Sequence, residues 1–241
     1  MSRVAYLGLV PEEGVSAQGK AYQFIRDQVI GGAYVGGTKL QSEKIAVELN
    51  ISRMPVREAL RQLDAEGLVT ILPNRGAIVT PLTPPDIEEL FRIRAVLEGL
   101  AARLAAKHAT AEDIDELRLL NTRLQRNQVD GRQWLLHHDE FHDFLCEIGK
   151  QKRLQREIRR IRTAVQPYLL LYISIYRNTE MVGTEHQALI DAIGSGNSHL
   201  AEQSFANHVM SAGQGVLEFL RSRPVVTPKK ERRPKRVTTN E

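Results

Sequence analysis

The chain has 241 residues, 42% apolar and 26% charged, enough to bury a sizeable core and to form two domains. Its one cysteine, Cys146, excludes a disulfide framework and fits a reducing compartment. The net charge of +4 is unevenly spread: residues 1–82 carry +1, residues 83–220 carry −3 and residues 221–241 carry +6, so charge alone is a weak argument for nucleic acid.

No charged-then-apolar signal opens the sequence, and the longest apolar run, YLLLYISIY (Tyr168–Tyr176), is too short to span a bilayer. A soluble cytoplasmic protein is expected. Residues 1–17 are aperiodic and read as a flexible arm. A helix is expected over 18–30, with Ala21, Tyr22, Ile25 and Val29 on one face and Gly31-Gly32 as its stop. A short helix follows over 42–49 with Ser42 as N-cap, then a turn at Asn50-Ile51-Ser52 and a helix over 53–66 ended by Gly67. Two β-type runs, 68–72 and 77–80, flank the turn Pro73-Asn74-Arg75-Gly76. Three helices and a hairpin describe a winged helix-turn-helix over 18–82.

Pro81, Pro84 and Pro85 mark a boundary. Beyond it the periodicity is helical over 85–108, 111–128, 131–148, 150–166, 168–177, 182–194 and 198–221, with no glycine-rich phosphate loop and no βαβ alternation. The fold class is therefore mainly α, with an all-α bundle over 83–222. Residues 223–241 form a basic, proline-broken tail expected to be disordered.

In a helix-turn-helix the first residues of the second helix reach base edges while flanking polar groups hold phosphates. Ser52, Arg53 and Arg57 occupy those places, and Arg57 stands where a guanidinium can pair bidentately with guanine. The basic wing tip, Arg75-Gly76, suits phosphate or minor-groove contact.

In the bundle, polar residues fall on apolar faces. With Trp134 at 0° and 100° per residue, Trp134, Leu135, Phe141, Leu145 and Cys146 lie between about 340° and 120°, and His138 and His142 lie near 40° and 80° inside that arc. Asp139 sits just past its edge, and His137, Glu140 and Asp143 lie outside. His186 lies among Leu189, Ile190 and Ile193, and His208 at the edge of the face of Phe205, Val209 and Val216. Four inward imidazoles on three helices suit a transition metal. Arg94 lies amid Ile87, Leu90, Leu97 and Ala101 with Glu98 nearby, and must be paired by an internal carboxylate or an anionic ligand.

The string KLQSEKIAVELNISRMPVREALRQLDAEGLVTILPNRGAIV resembles the DNA-binding domain of GntR-superfamily bacterial transcription regulators. By position the resemblance assigns DNA contacts to Lys44, Ser52, Arg53, Arg57 and Gly76, with Lys44 where arginine is usual and Gln41 replacing a common proline. FRIRAVLEGLAARLAA, HDEFHDFL and EHQALIDAI…HV are similar to the FCD ligand-binding domain of the FadR-like subfamily. That resemblance implies metal ligands at His142, His186 and His208, with His138 in the place of the usual aspartate, and an effector-carboxylate role for Arg94. It implies a homodimeric, nucleoid-associated regulator, a repressor, reading a short palindrome in double-stranded DNA. A small carboxylate effector would bind at a divalent metal, zinc first, with nickel, cobalt or iron as alternatives. Two other readings stay open: the same regulator with a structural metal or none, recognising effector by Arg94 alone, and a metal-dependent hydrolase, for which Glu98 is the one candidate base.

Overall fold

The computed structural model describes residues 16–73, 75–126, 131–175 and 179–222. Nearly all of the arm, the wing-tip Asn74, the end of the helix expected to 128 and the tail from 223 lie outside the described residues.

Helix α1 (Ala17–Ile30) starts at Ser16, whose hydroxyl accepts from Gly19 N at 3.1 Å, and buries Ala21, Ile25, Val29 and Ile30. A two-residue strand β1 (Lys39–Leu40) leads into α2 (Ser42–Leu49). Gln41, not Ser42, holds the N-cap position of α2, and it does so without a side-chain hydrogen bond. Asn50 ends α2 in the left-handed region at φ 53°, a conformation asparagine tolerates better than most residues. Helix α3 (Arg53–Ala65) follows, then β2 (Val69–Leu72) and β3 (Gly76–Val79). The antiparallel sheet has the order β1-β3-β2, with Ile78 opposite both Lys39 and Thr70. The hairpin is one strand richer than expected, because Lys39 and Leu40 pair with β3 across some forty residues. Ile25, Leu40, Ile45, Val56, Leu60, Leu63 and Val79 form the core of this reading head.

Thr83 opens the bundle with a reciprocal cap: its backbone N–H donates to the Asp86 carboxylate at 2.7 Å, and its hydroxyl accepts from Asp86 N at 3.4 Å. Pro84 then begins α4 (Pro84–His108), where its missing N–H costs nothing. Next come α5 (Ala111–Arg126), α6 (Gly131–Ile148), α7 (Lys152–Ile175), α8 (Thr179–Gly194) and α9 (Ser198–Ser222). Helix α7 runs unbroken through Pro167, where the periodicity predicts one helix ending and another beginning. Proline removes a ladder bond at about 3 kcal/mol, but burial of Ile158, Val165, Leu169 and Leu170 on one side of α7 outweighs that loss.

Helices α4 and α9 pack so closely that only glycines fit at two crossing points. A Cβ on Gly99 would lie 3.0 Å from Glu202 O, and one on Gly213 would lie 2.7 Å from the Phe91 ring. Phe91 is fully buried and has nowhere to go. Gly213→Val should therefore destabilise the fold: an overpacking cost of about 1–3 kcal/mol exceeds the propensity gain of roughly 0.5 kcal/mol, and calorimetry should show Tm lower by several degrees.

Candidate metal centre and nucleic-acid interface

The bundle brings together four side chains that are far apart in sequence. His138 and His142 come from successive turns of α6, His186 from α8 and His208 from α9. One candidate ligand atom from each lies within 4.8 Å of all the others. The ring centroids of His138 and His142 are 4.3 Å apart, and those of His186 and His208 are 4.8 Å apart. Tetrahedral zinc at about 2.0–2.1 Å from each nitrogen needs N···N edges of about 3.4 Å, shorter than the widest of the present separations, so binding draws the rings and the helices that carry them together. The walls are apolar and aromatic: Trp134 stacks on His138 at 4.7 Å, and Phe141 meets His186 edge-on at 5.0 Å.

The residues fit a metal on three grounds. Buried nitrogens, His138 Nδ1 and His142 Nε2, have no hydrogen-bond partner in the protein. Desolvation lowers the pKa of His138 well below its ordinary range and that of His142 to about 4, against the raising effect of Glu98, so both rings are neutral at pH 7 and offer lone pairs. Carboxylates also stand behind two rings: Glu98 Oε2 lies 2.6 Å from His142 Nδ1, and Glu185 Oε2 lies 3.2 Å from His208 Nδ1. Neither pair is aligned as a hydrogen bond, but a carboxylate beside Nδ1 leaves Nε2 to face an ion.

Arg94 is buried, as its helical position predicts, and its partner is internal: Nε donates to Glu98 Oε1 at 2.7 Å. Burial would raise the Glu98 carboxyl, but Arg94, His142 and Arg162 hold it far below the usual carboxylate range. Arg94 and Glu98 thus form a buried ion pair that the neutral His142 ring extends. The bond to Glu98 uses one of five guanidinium donors, and the Arg94 Cζ lies 5.0 Å from the Phe91 ring centroid.

Asp139 is not among the clustered ligand atoms. It turns toward α7, where its Oδ1 lies 3.4 Å from Arg162 Nε and its Oδ2 accepts from Gln166 Nε2. Arg162, only 3% exposed, also donates to Asp143 Oδ1 at 2.7 Å. Sequence reasoning passed over Arg162 and Gln166. A signal existed for Arg162, which occupies the helical stripe Ile158, Val165 and Leu169. His137 stands off the cluster and pairs with Glu140 at 2.9 Å.

The reading head presents its candidates differently. Val56, Leu60 and Leu63 bury one face of α3, leaving Arg53 and Arg57 exposed at its start. Ser52 is the N-cap residue, yet its side chain makes no capping bond. Lys44 is exposed on α2, and Arg75 and Gly76 are exposed at the wing, Gly76 at φ 84°. Arg53 pairs with Glu43 at 3.1 Å, a contact that DNA would have to displace.

The metal-free protein should lose stability as pH falls from about 6.5 toward 4. In that window the unfolded chain protonates His138 and His142 while the folded one does not, with a slope of up to about 1.4 kcal/mol per pH unit for each ring. Thermal melts in chelator at several pH values check this, and unchanged Tm across the window would contradict burial of neutral rings.

Residues 17–79 match the gntR family of bacterial regulatory proteins, and residues 89–211 match the FCD domain. An HTH-type transcriptional regulator from the TAR-I ttuE-ttuC' intergenic region of Agrobacterium vitis is 36% identical over 58% of this chain and 86% of its own length. The HTH-type transcriptional repressor RspR of Escherichia coli K12 is 25% identical over 88% of this chain and 92% of its own length. Among solved structures, E. coli McbR/YncC superposes with a TM-score of 0.71 at 23% identity, covering 86% of this chain and 99% of that one. Among the described residues no helix is long and apolar enough to cross a membrane. The chain belongs to the GntR family of bacterial regulatory proteins, with an FCD domain as its C-terminal bundle, and is a DNA-binding transcription regulator, not an enzyme.

Proposed function

We propose that the chain is a homodimeric repressor, nucleoid-associated, whose FCD bundle holds a divalent transition metal, zinc first, and a small carboxylate effector. The observation that carries the reading is the cluster of His138, His142, His186 and His208, one ligand atom from each within 4.8 Å of the rest. Neutral imidazoles leave the ion its full charge, so it attracts an anion, and His138 in place of a carboxylate makes the site one unit more positive. Arg94, buried and held by Glu98 through one donor, has donors left for the effector carboxylate. Residues 18–82 act as the reading head and residues 83–222 as the sensing and dimerising domain. Ile93, Val96 and Leu100 form an exposed apolar stripe on α4, consistent with a two-fold contact.

Two such heads read the halves of a palindrome, with Arg57 at base edges, Lys44, Ser52, Arg53 and Arg75 on phosphates or neighbouring groups, and Gly76 letting the wing approach the backbone. Arg57→Ala should cost about 1–3 kcal/mol on the selected operator, so that gel-shift affinity drops by roughly 5- to 150-fold while the melting curve is unchanged. Retained operator affinity would remove Arg57 from base recognition.

The sensing half is tested by a thermal-shift screen of organic acids with and without chelator. An effector at about 100 times its Kd adds about 2.7 kcal/mol, a rise of several degrees. The rise should need metal and vanish in His142→Ala. A shift that survives both chelator and His142→Ala would instead favour recognition by Arg94 alone.

A further inference from the structure

His138 and Asp139 are consecutive on α6 and point about 100° apart, one into the four-histidine cluster and the other toward α7. Gln166, only 2% exposed, lies on the far side of Asp139. Its Nε2 donates to Asp139 Oδ2, and its Oε1 accepts from Arg26 Nη2 at 3.1 Å. Arg26 belongs to α1 of the reading head, which packs along α3. The amide has a fixed polarity here: reversed, it would aim NH2 at a guanidinium and its carbonyl oxygen at a carboxylate. We infer that Gln166 is a positioning residue that straps the helix carrying His138 and His142 to the reading head, so that metal occupancy at the histidines sets the placement of α1.

The inference rests on the metal reading of the histidine cluster. Drawing ligand atoms now up to 4.8 Å apart onto one ion moves α6, and the Asp139 carboxylate moves with it. Arg162, bonded to Asp143 and to the Asp139 backbone carbonyl, keeps that carboxylate face rigid, so the displacement passes on instead of relaxing locally. The two ends of the strap, Arg26 and Asp139, line a cleft of about 570 Å³ between head and bundle together with Tyr22, Glu66, Arg159 and Arg162. Beside this cleft polar contacts join α1 to α7, while the end of α1 packs through Ile30 into the apolar core of the bundle. A second link from the same helix runs parallel, with Arg132 Nη2 donating to Asp27 O at 3.5 Å near the end of α1. The Arg132 link is the more direct, but Arg132 is exposed, and Arg26–Gln166–Asp139 is the better-buried connection.

Hydrogen exchange on the full chain, read by mass spectrometry with and without bound metal, tests this without knowledge of the operator. Cobalt(II) absorption reports independently on the histidine site. In the wild type, metal should slow exchange in α6, α8 and α9 and also in α1, by about 5-fold or more at α1 if the coupling is of ordinary size. In Gln166→Leu the slowing at α1 should disappear, while cobalt absorption and protection in α6, α8 and α9 stay as in the wild type. Arg26→Met, which keeps the aliphatic stem, should give the same selective loss, and Gln166→Leu combined with it should lose nothing more. A metal effect at α1 that persists in both single variants overturns the strap. So does a wild-type chain that shows the cobalt bands without any change at α1. Absence of the cobalt bands removes the metal site itself, and the strap with it.

Discussion

The Glu98 carboxylate is buried in the bundle, and the site is built around keeping it ionised. Left alone there, it would take up a proton; Arg94 at 2.7 Å and His142 at 2.6 Å prevent that. The three groups answer one another's desolvation, and each depends on the other two. Arg94 without Glu98 is a stranded cation, and His142 without Glu98 loses the group that orients its ring. Arg94 and Glu98 lie one turn apart on α4, and that helix is pressed against α9 by the glycines at 99 and 213. Backbone packing thus sets the position of a charge, and the charge sets the position of the His142 ring.

The reading head follows a simpler economy. Its polar candidates sit on exposed faces because the opposite faces of α1, α2 and α3 carry the apolar residues that hold the head together. Arg53 is paired with Glu43 in an exposed contact, and such pairs contribute at most about 1 kcal/mol. DNA phosphates can displace a contact of that size. The fold of the head does not depend on these exposed side chains, so they stay available to a nucleic acid.

Local periodicity made much of this legible. His138 and His142 fall on a buried face by counting alone, as do Arg94 and Glu98, and ISRMPVREAL marks the start of α3 through its own turn and its own apolar spacing. Other features depend on partners the local sequence does not contain. Lys39 and Leu40 become a strand because β3 lies beside them. Asp139, read from its own helix, sits at the edge of the apolar arc; its meaning comes from Arg162 and Gln166, more than twenty residues away, and from Arg26 beyond them. Pro167 reads as a break on any propensity scale, and the buried side of α7 overrides it. Interactions within one turn leave a pattern in one segment. Interactions between segments leave only unexplained polar residues on apolar faces, and Arg162 was such a residue.

Helix α7 receives the linker as well as α1. Tyr168 Oη accepts from Leu82 N at 3.2 Å, one residue before the cap at Thr83 and two residues along from Gln166. This bears on any exchange of reading heads between regulators of this architecture. The prolines between residues 81 and 85 look like a natural seam, and a chimera joined there keeps the chain continuous. It does not keep the dock, because the residues that receive the head, Gln166 and Tyr168, lie about eighty residues downstream in the other parent. A transplanted head would carry its DNA preference intact and arrive on a foreign socket. The modular unit of this protein is discontinuous in sequence: a head together with one stretch of the seventh helix.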